Sequence, residues 1–411
     1  MADVLLTPQV ITDEALRILH NNIVLTKKVS RQYDDSFAKS GSKIGQTLKI
    51  RKPVQFTVRS GSTASLQDVV ETSQDLTVST LKGIDWDFDD VDLAMTIDDF
   101  SSRYLRPAMA RLASELDYSV YAGIYKSVAN AVGTPGTVPS AALTFLQAGQ
   151  KLDEFAAPRD DLRHMILNPA AQAATVDGLK GLFQSSDRIA SQYERGMMGQ
   201  GLGWNFWMSQ NVPTHTVGPL GGTPLVNGAS QGSAGANNAY TASLALVTDG
   251  WTAAAAARLK AGDVFTIANV FAVNPETKQS TGSLMQFVVQ SDVSSDASGN
   301  ATVTITPCPI SGGAYQNVTA LPADNAAITV LGAASTVSPV NIGFHKEAFT
   351  VVTADLELPK GTDMAARSQY DGVSLRFVRD FDITNNKRIC RFDILYGFAA
   401  LRPEWACRVQ G

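Results

Sequence analysis

The period of the hydrophobic pattern changes several times along the chain, and each change marks an element. Thr12–Leu25 carries Leu16, Leu19, Ile23 and Val24 at helical spacing behind a capping Thr12 and the early acids Asp13 and Glu14. This predicts a short amphipathic helix within an N-terminal arm, residues 1–40, which has too little apolar surface to fold alone. Residues 41–80 turn basic and Thr/Val-rich around Lys49, Arg51, Lys52 and Arg59, with a flexible Gly61-Ser-Thr-Ala-Ser65 tip and a returning strand over Gln74–Lys82. That reads as a long two-stranded excursion, and an isolated hairpin is marginal in water. The strongest helical stripe runs from Thr96 to Val132 through Ile97, Phe100, Tyr104, Leu105, Met109, Leu112, Leu116, Val120, Ile124 and Val128. Pro107 marks a kink or the true first turn, and Gly133-Thr-Pro-Gly136 is expected to end the helix. From Pro107 to Val132 such a helix is roughly 39 Å long.

A second helix is predicted over Ser140–Phe155, followed by a buried strand Leu162–Leu167 that leads into a Pro169-initiated helix. Between about 214 and 341 charges become sparse. Short alternating runs such as Val264-Phe-Thr-Ile267, Leu284–Val289, Thr302–Thr306 and Ile328–Leu331 are separated by turn residues, the pattern of a small all-β barrel or sandwich. Helix-rich sequence precedes this stretch and α/β-type sequence follows it, so it reads as a domain inserted into a host fold. The last forty residues form two apolar, β-branched and aromatic runs, Val373–Asp382 and one from Ile389 that continues past Tyr396-Gly397 to Leu401-Arg-Pro-Glu404, around a polar Thr384-Asn-Asn-Lys387 turn: a β-hairpin. A strand so near the chain end must be held in a sheet to stay ordered.

The ending Asp393-Ile-Leu-Tyr-Gly397 followed by Arg402-Pro-Glu404 resembles the closing strand of tailed-phage major capsid proteins of the Hong Kong 97 fold. The order of elements is similar to one branch of that family, the podophage coat proteins with an inserted β-barrel. The segment Leu259-Lys-Ala-Gly-Asp-Val-Phe-Thr-Ile267 resembles that branch's basic-x-Gly-Asp turn before a barrel strand. The resemblance covers nearly the whole chain, and its specificity lies in order, since no single motif is catalytic. It implies an α+β fold in which the long helix is the spine, 41–80 the extended loop, 81–213 and 342–411 the peripheral and axial capsid core, and 214–341 the inserted β-barrel domain. It also implies a structural protein with no catalytic site and no cofactor, found in the virion. Such a protein is assembled in the bacterial host cytoplasm into pentamers and hexamers of a closed icosahedral shell. Its partners are further copies of itself, a scaffolding protein and a portal protein, around double-stranded DNA held without sequence-specific binding. Some relatives crosslink subunits through a Lys–Asn bond. Lys49 or Lys52 with Asn385 or Asn386 would be the candidates, although the inserted-domain branch is not known to crosslink.

Composition sets limits on other readings. The chain has 411 residues and a net charge of −5, with 18% charged residues. There is no basic stripe of the kind a DNA-gripping protein carries. The N-terminus lacks the basic and apolar regions of a signal peptide, and no apolar run approaches membrane-spanning length. Cys308, Cys390 and Cys407 are odd in number and lack metal spacing, so they read as small buried hydrophobes. His20, His164, His215 and His345 are too scattered to suggest a ligand pair. Gly41-Ser-Lys-Ile-Gly-Gln-Thr47 lacks the Gly-Lys-Ser/Thr ending of a phosphate loop. The acidic run Asp85-Trp-Asp-Phe-Asp-Asp-Val-Asp92 fails as a calcium loop, because Asp90 stands where Gly is needed and Thr96 where Glu is needed. As a strand it places Asp85, Asp87 and Asp89 on one side and Trp86 and Phe88 on the other. Two readings of these acids stay open: a half-solvated strand, or an intersubunit contact in which Asp85, Asp87, Asp89 and Asp90 meet Lys49, Arg51, Lys52 and Arg59 of a neighbour. The rival functions are the shell of a bacterial encapsulin-type nanocompartment, which usually lacks such an insertion, and a soluble α+β enzyme with an unrecognised site.

Overall fold

A computed structural model describes residues 8–31, 45–59, 61–64, 66–67, 71–88, 101–179, 199–233, 240–383 and 387–410. In chain order its elements begin with helix α1 (Pro8–Asn22) and strands β1 (Gln46–Lys52), β2 (Thr72–Val78) and β3 (Thr80–Phe88). Helix α2 (Arg106–Ile124), β4 (Ala131–Val132), α3 (Ala142–Glu154), β5 (Arg163–Leu167), α4 (Pro169–Leu179), β6 (Gln200–Gly201) and β7 (Trp204–Met208) follow. An all-strand stretch comes next: β8 (Thr214–Thr216), β9 (Gly222–Val226), β10 (Leu244–Trp251), β11 (Ala256–Leu259), β12 (Val264–Val273), β13 (Ser280–Val289), β14 (Val293–Ser295), β15 (Ala301–Thr306), β16 (Ile328–Val330) and β17 (Val337–Pro339). The chain closes with β18 (Asn341–His345), β19 (Phe349–Ala354), β20 (Met364–Tyr370), β21 (Val373–Asp382), β22 (Lys387–Ala400) and β23 (Ala406–Val409). The α+β class expected from the sequence is the class observed. The chain divides into two compact units, one from Met1–Ile50, Asp75–Val120 and Thr350–Ala399, the other from Arg51–Gln74, Tyr121–Phe349 and Ala400–Gly411.

In the first unit, α1 buries Ile11, Ala15, Leu16, Ile18 and Leu19 against β20 and β21, so the arm helix finds the partner its weak apolar face requires. It starts four residues earlier than the pattern predicts. Pro8 opens it, because a first-turn residue needs no N–H partner. Thr12 is therefore inside the helix, and its hydroxyl donates to the Pro8 carbonyl at 2.7 Å instead of capping. Pro107 sits in the first turn of α2, after one π-helical turn at Ser101–Leu105. Met109, Leu112, Ala113, Leu116 and Val120 form its buried stripe. The β21–β22 hairpin pairs Arg376 with Asp393 through Asp382 with Lys387, and β3 runs antiparallel to β22 from Thr80 opposite Tyr396 to Phe88 opposite Arg388. Phe377, Phe392 and Trp86 stack across the three strands, with ring centroids 4.8 Å and 5.3 Å apart. The expected single strand over Gln74–Lys82 is broken at Ser79 into β2 and β3. The Thr384–Asn386 part of the hairpin turn lies outside the described residues.

In the second unit, a six-stranded sheet has the order β4-β23-β18-β5-β7-β6. Helix α3 packs Phe145, Ala148 and Leu152 into one core with Met165, Leu167, Trp204 and Cys407. The helix α2 was expected to reach Val132, but it ends at Ile124 and a 3-10 turn over Tyr125–Ser127. Val128 is extended, Asn130 donates its side-chain N–H to the Glu404 and Ala406 carbonyls, and β4 pairs in parallel with β23. The polar backbone after Ser127 is thus satisfied by a sheet, which outweighs the helical pattern. The strand expected to run past Leu401 stops at Ala400. A 3-10 turn at Pro403–Trp405 precedes β23, and this last strand is held between β18 and β4.

The inserted stretch forms a second six-stranded sheet, β16-β12-β13-β15-β10-β9, around a core that includes Leu246, Phe265, Ile267, Phe287, Val303 and Ile305. Its end strands meet through one bridge, Leu225 opposite Ala327, with Val226 N–H donating to Ala326 O at 3.0 Å and Asn325 N–H to Val226 O at 2.9 Å. The expected barrel is therefore nearly closed and not a complete cylinder, because β16 has only three residues to offer. The chain enters and leaves this region through an antiparallel ribbon in which Ser338 faces His215.

Candidate subunit-contact site

Strand β1 and the loop after it carry the basic side chains singled out from the sequence, and they have different surroundings. Lys49 is exposed. Arg51 extends into solvent and meets Glu71 at 3.2 Å, with 79% and 56% of the two side chains accessible. Arg59 donates to the Gly61 and Thr63 carbonyls of its own loop. Apolar side chains beside it are strongly exposed: Phe56, Val58 and Leu66. Lys52 instead turns inward and donates to Thr241 Oγ1 at 3.1 Å.

The acidic strand alternates as expected. Trp86 lies on the Phe392 face, while Asp85 and Asp87 lie on the opposite face of β3. Both acids have cations across the strand. Asp87 accepts from Lys387 Nζ at 2.5 Å, and Asp85 is 3.7 Å from Arg391 Nε. The Lys387 hydrogen bond and charge hold the Asp87 carboxyl below its ordinary value. These pairs are solvent-exposed, so each contributes little to stability. Asp89 and Asp90 lie outside the described residues, as do Asn385 and Asn386. The three cysteines are free and buried, as their spacing implied. Among the described residues no group of three or more His, Cys, Asp or Glu side chains is placed to hold a metal ion. No helix among them is long and apolar enough to cross a membrane.

Several buried polar residues escaped the sequence reading. Asp117, on the edge of the α2 stripe, accepts from Val24, Leu25 and Thr26 N–H and from Thr26 Oγ. Its position four residues after Ala113 and three before Val120 was the available signal. Asp393 is fully buried and accepts from Arg376 at 2.5 Å and Arg391 at 2.7 Å. In β23, Arg408 is 1% exposed. It donates to Gly262 O at 2.6 Å and lies over the Tyr125 ring. Asp263, in the same turn, accepts from Lys260 and Gly218 N–H and pairs with His215 at 2.8 Å. The basic-x-Gly-Asp turn at Lys260–Asp263 is thus a fixed structural corner. Nothing in the Ala-Cys-Arg-Val pattern of β23 distinguishes a buried arginine from an exposed one.

A family model described as "P22 coat protein - gene protein 5" matches residues 3–410. A protein named "Major capsid protein" from Acyrthosiphon pisum secondary endosymbiont phage 1 is 22% identical over 414 residues, covering 96% of each chain. Among solved structures, a Mycobacterium phage Che8 chain is 14% identical with a TM-score of 0.46, over 94% of this chain and 90% of that one. A structure titled "CUS-3 coat protein I-domain" is 31% identical over 29% of this chain and 96% of that one, with a TM-score of 0.17.

Proposed function

This chain belongs to the P22 coat protein family, and on that premise we propose how its parts act in a shell. It is a tailed-phage major capsid protein, a structural subunit of a multi-subunit virion shell. The carrying observation is that one coat-protein model spans residues 3–410, nearly the whole chain. We infer that the subunit forms both pentamers and hexamers of an icosahedral shell. We further infer that it assembles in the host cytoplasm with a scaffolding protein and a portal, encloses double-stranded DNA without reading its sequence, and has no catalytic turnover. Residues 214–341 act as the inserted domain, and the β1–β2 excursion acts as the extended loop.

The loop's cations serve contact between copies. Lys49, Arg51 and Arg59 project from an excursion whose apolar side chains Phe56, Val58 and Leu66 are also exposed. The proposed partner is the acidic strand of a neighbour, where Asp85 and Asp87 exchange weak in-chain pairs for intersubunit ones. Such charges steer and orient assembly more than they strengthen it. Lys52 is turned into its own cleft and is assigned no such contact.

Sedimentation and negative-stain imaging of the purified protein test the reading. Closed megadalton shells are expected, and a small discrete oligomer under all assembly conditions overturns it. Arg51→Glu with Arg59→Glu should leave the subunit folded and block or misdirect shells, with partial recovery when Asp87 is changed to Lys. If the loop variant assembles normally at moderate salt, the loop's charge has no assembly role.

A further inference from the structure

Three segments of the second unit converge on a cleft of about 370 Å³: the root of the loop (Lys52, Phe56), the inserted region (Tyr240, Tyr315) and the C-terminal turn (Glu404, Trp405). Two polar atoms there are shut off from solvent and have no hydrogen-bond partner among the described residues, Glu404 Oε2 and the Tyr240 hydroxyl. The other ionisable groups around them are Lys52 from the loop root, Glu276 and Tyr315 from the insertion, and Arg402 from the turn. Arg402 lies over the Trp405 ring at 4.1 Å and meets Glu347 at 3.4 Å, so it is already engaged. Lys52 is the cation whose position depends on the loop, since it reaches in from the end of β1 to Thr241.

We propose that Glu404 and Lys52 form a proton-controlled latch on the loop root, so that the root is released most readily when both groups are ionised and is held more tightly at lower or higher pH. The physical reason is desolvation. A carboxylate oxygen with no donor among the described residues and an ammonium drawn into a cleft each disfavour the charged form. Burial pushes the Glu404 carboxyl from 4.5 up to about 7, against the smaller opposing attraction of Lys52. Burial also pushes the Lys52 ammonium from 10.5 down to about 8.

The sign follows by linkage. Opening the root lets water reach both groups and returns them toward their ordinary values. The closed state binds the Glu404 proton more tightly, so closure is favoured at acid pH and that advantage is lost as pH rises through about 7. The closed state binds the Lys52 proton more weakly, so closure is also favoured above about 8. Opening is therefore maximal between these values. It falls on the order of tenfold by two pH units to either side.

Hydrogen exchange of the full-length subunit, followed on peptides covering 53–59 from pH 5.5 to 9.5 and corrected for intrinsic exchange, tests this. The expected profile is a maximum of opening between pH 7 and 8. Glu404→Gln should remove the acid limb alone. Lys52→Arg keeps the charge but cannot titrate in this range, and should remove the alkaline limb alone. Each variant is accepted only if exchange elsewhere in the subunit matches the parent. A flat corrected profile for the parent, or a limb that survives in the matching variant, overturns the latch. Any effect on assembly rests on the loop being an intersubunit arm, whereas exchange in the isolated subunit does not, so the two readings fail separately.

Discussion

Asp117 offers the sharpest single test of how the arm is joined to the spine helix within the first unit. Its two carboxylate oxygens receive Val24 N–H at 2.5 Å, Leu25 and Thr26 N–H at 3.2 Å each, and Thr26 Oγ at 2.5 Å. The residue is 1% exposed, so no solvent replaces a lost partner. Asp117→Ala strands three backbone donors and a hydroxyl in the interior. Each unsatisfied buried group costs about 1–3 kcal/mol, offset in part by removal of the buried carboxylate, for a net loss of about 3–5 kcal/mol. At 1.4 kcal/mol per decade, amides in the segment 22–31 should exchange about a hundredfold to a few thousandfold faster in the folded protein. A change below about tenfold would mean that the segment relaxes onto other acceptors, and that the carboxylate does not anchor the arm. The pH dependence is a second readout. Burial raises the Asp117 carboxyl above 3.8 against its four donors. A raised folded value adds stability that is present at acid pH and lost as pH rises through that value. The arm should therefore be tightened by mild acid in the parent, and Asp117→Asn should abolish that dependence.

Leu116 is completely buried in the α2 stripe. Leu116→Ala should cost about 2–5 kcal/mol, seen as temperature-sensitive solubility of the coat protein, and unchanged stability would place that face of the helix in solvent. At Gly397 an added Cβ would lie 2.3 Å from the Thr77 carbonyl oxygen. Gly397→Ala should therefore destabilise by about 1–3 kcal/mol and lower the melting temperature, while an unaltered melt would show that β2 moves aside freely. Residues 214–341 expressed alone should give a monomeric β-rich fragment with a cooperative melt, because the stretch has its own core around Phe265 and Phe287 and enters and leaves through one ribbon. A fragment without amide proton dispersion contradicts that independence.

Local periodicity determined much of this protein. The stripe through Met109, Leu112 and Leu116, the Pro107 helix start, the alternating strands between 214 and 341 and the closing hairpin all follow from side-chain spacing, since burial of one face imposes the period of its element. The Asp/Trp alternation over 85–87 was legible for the same reason. Tertiary structure decided where those patterns stop. Residues after Ser127 continue a helical pattern, yet Ala131 and Val132 pair with β23 and the Asn130 side chain donates to the Ala406 carbonyl, partners that only a segment distant in sequence supplies. It also decided the roles of individual charges. Lys52 and Arg51 are neighbours in a basic run, but one turns into a cleft beside Glu404 and the other faces water. Asp393 and Arg408 carry no distinguishing sequence context, and Asp117 shows only its place beside the apolar stripe. A buried charge is defined by the hydrogen-bond partners folded around it, and those come from segments up to 146 positions away, as between Arg408 and Gly262.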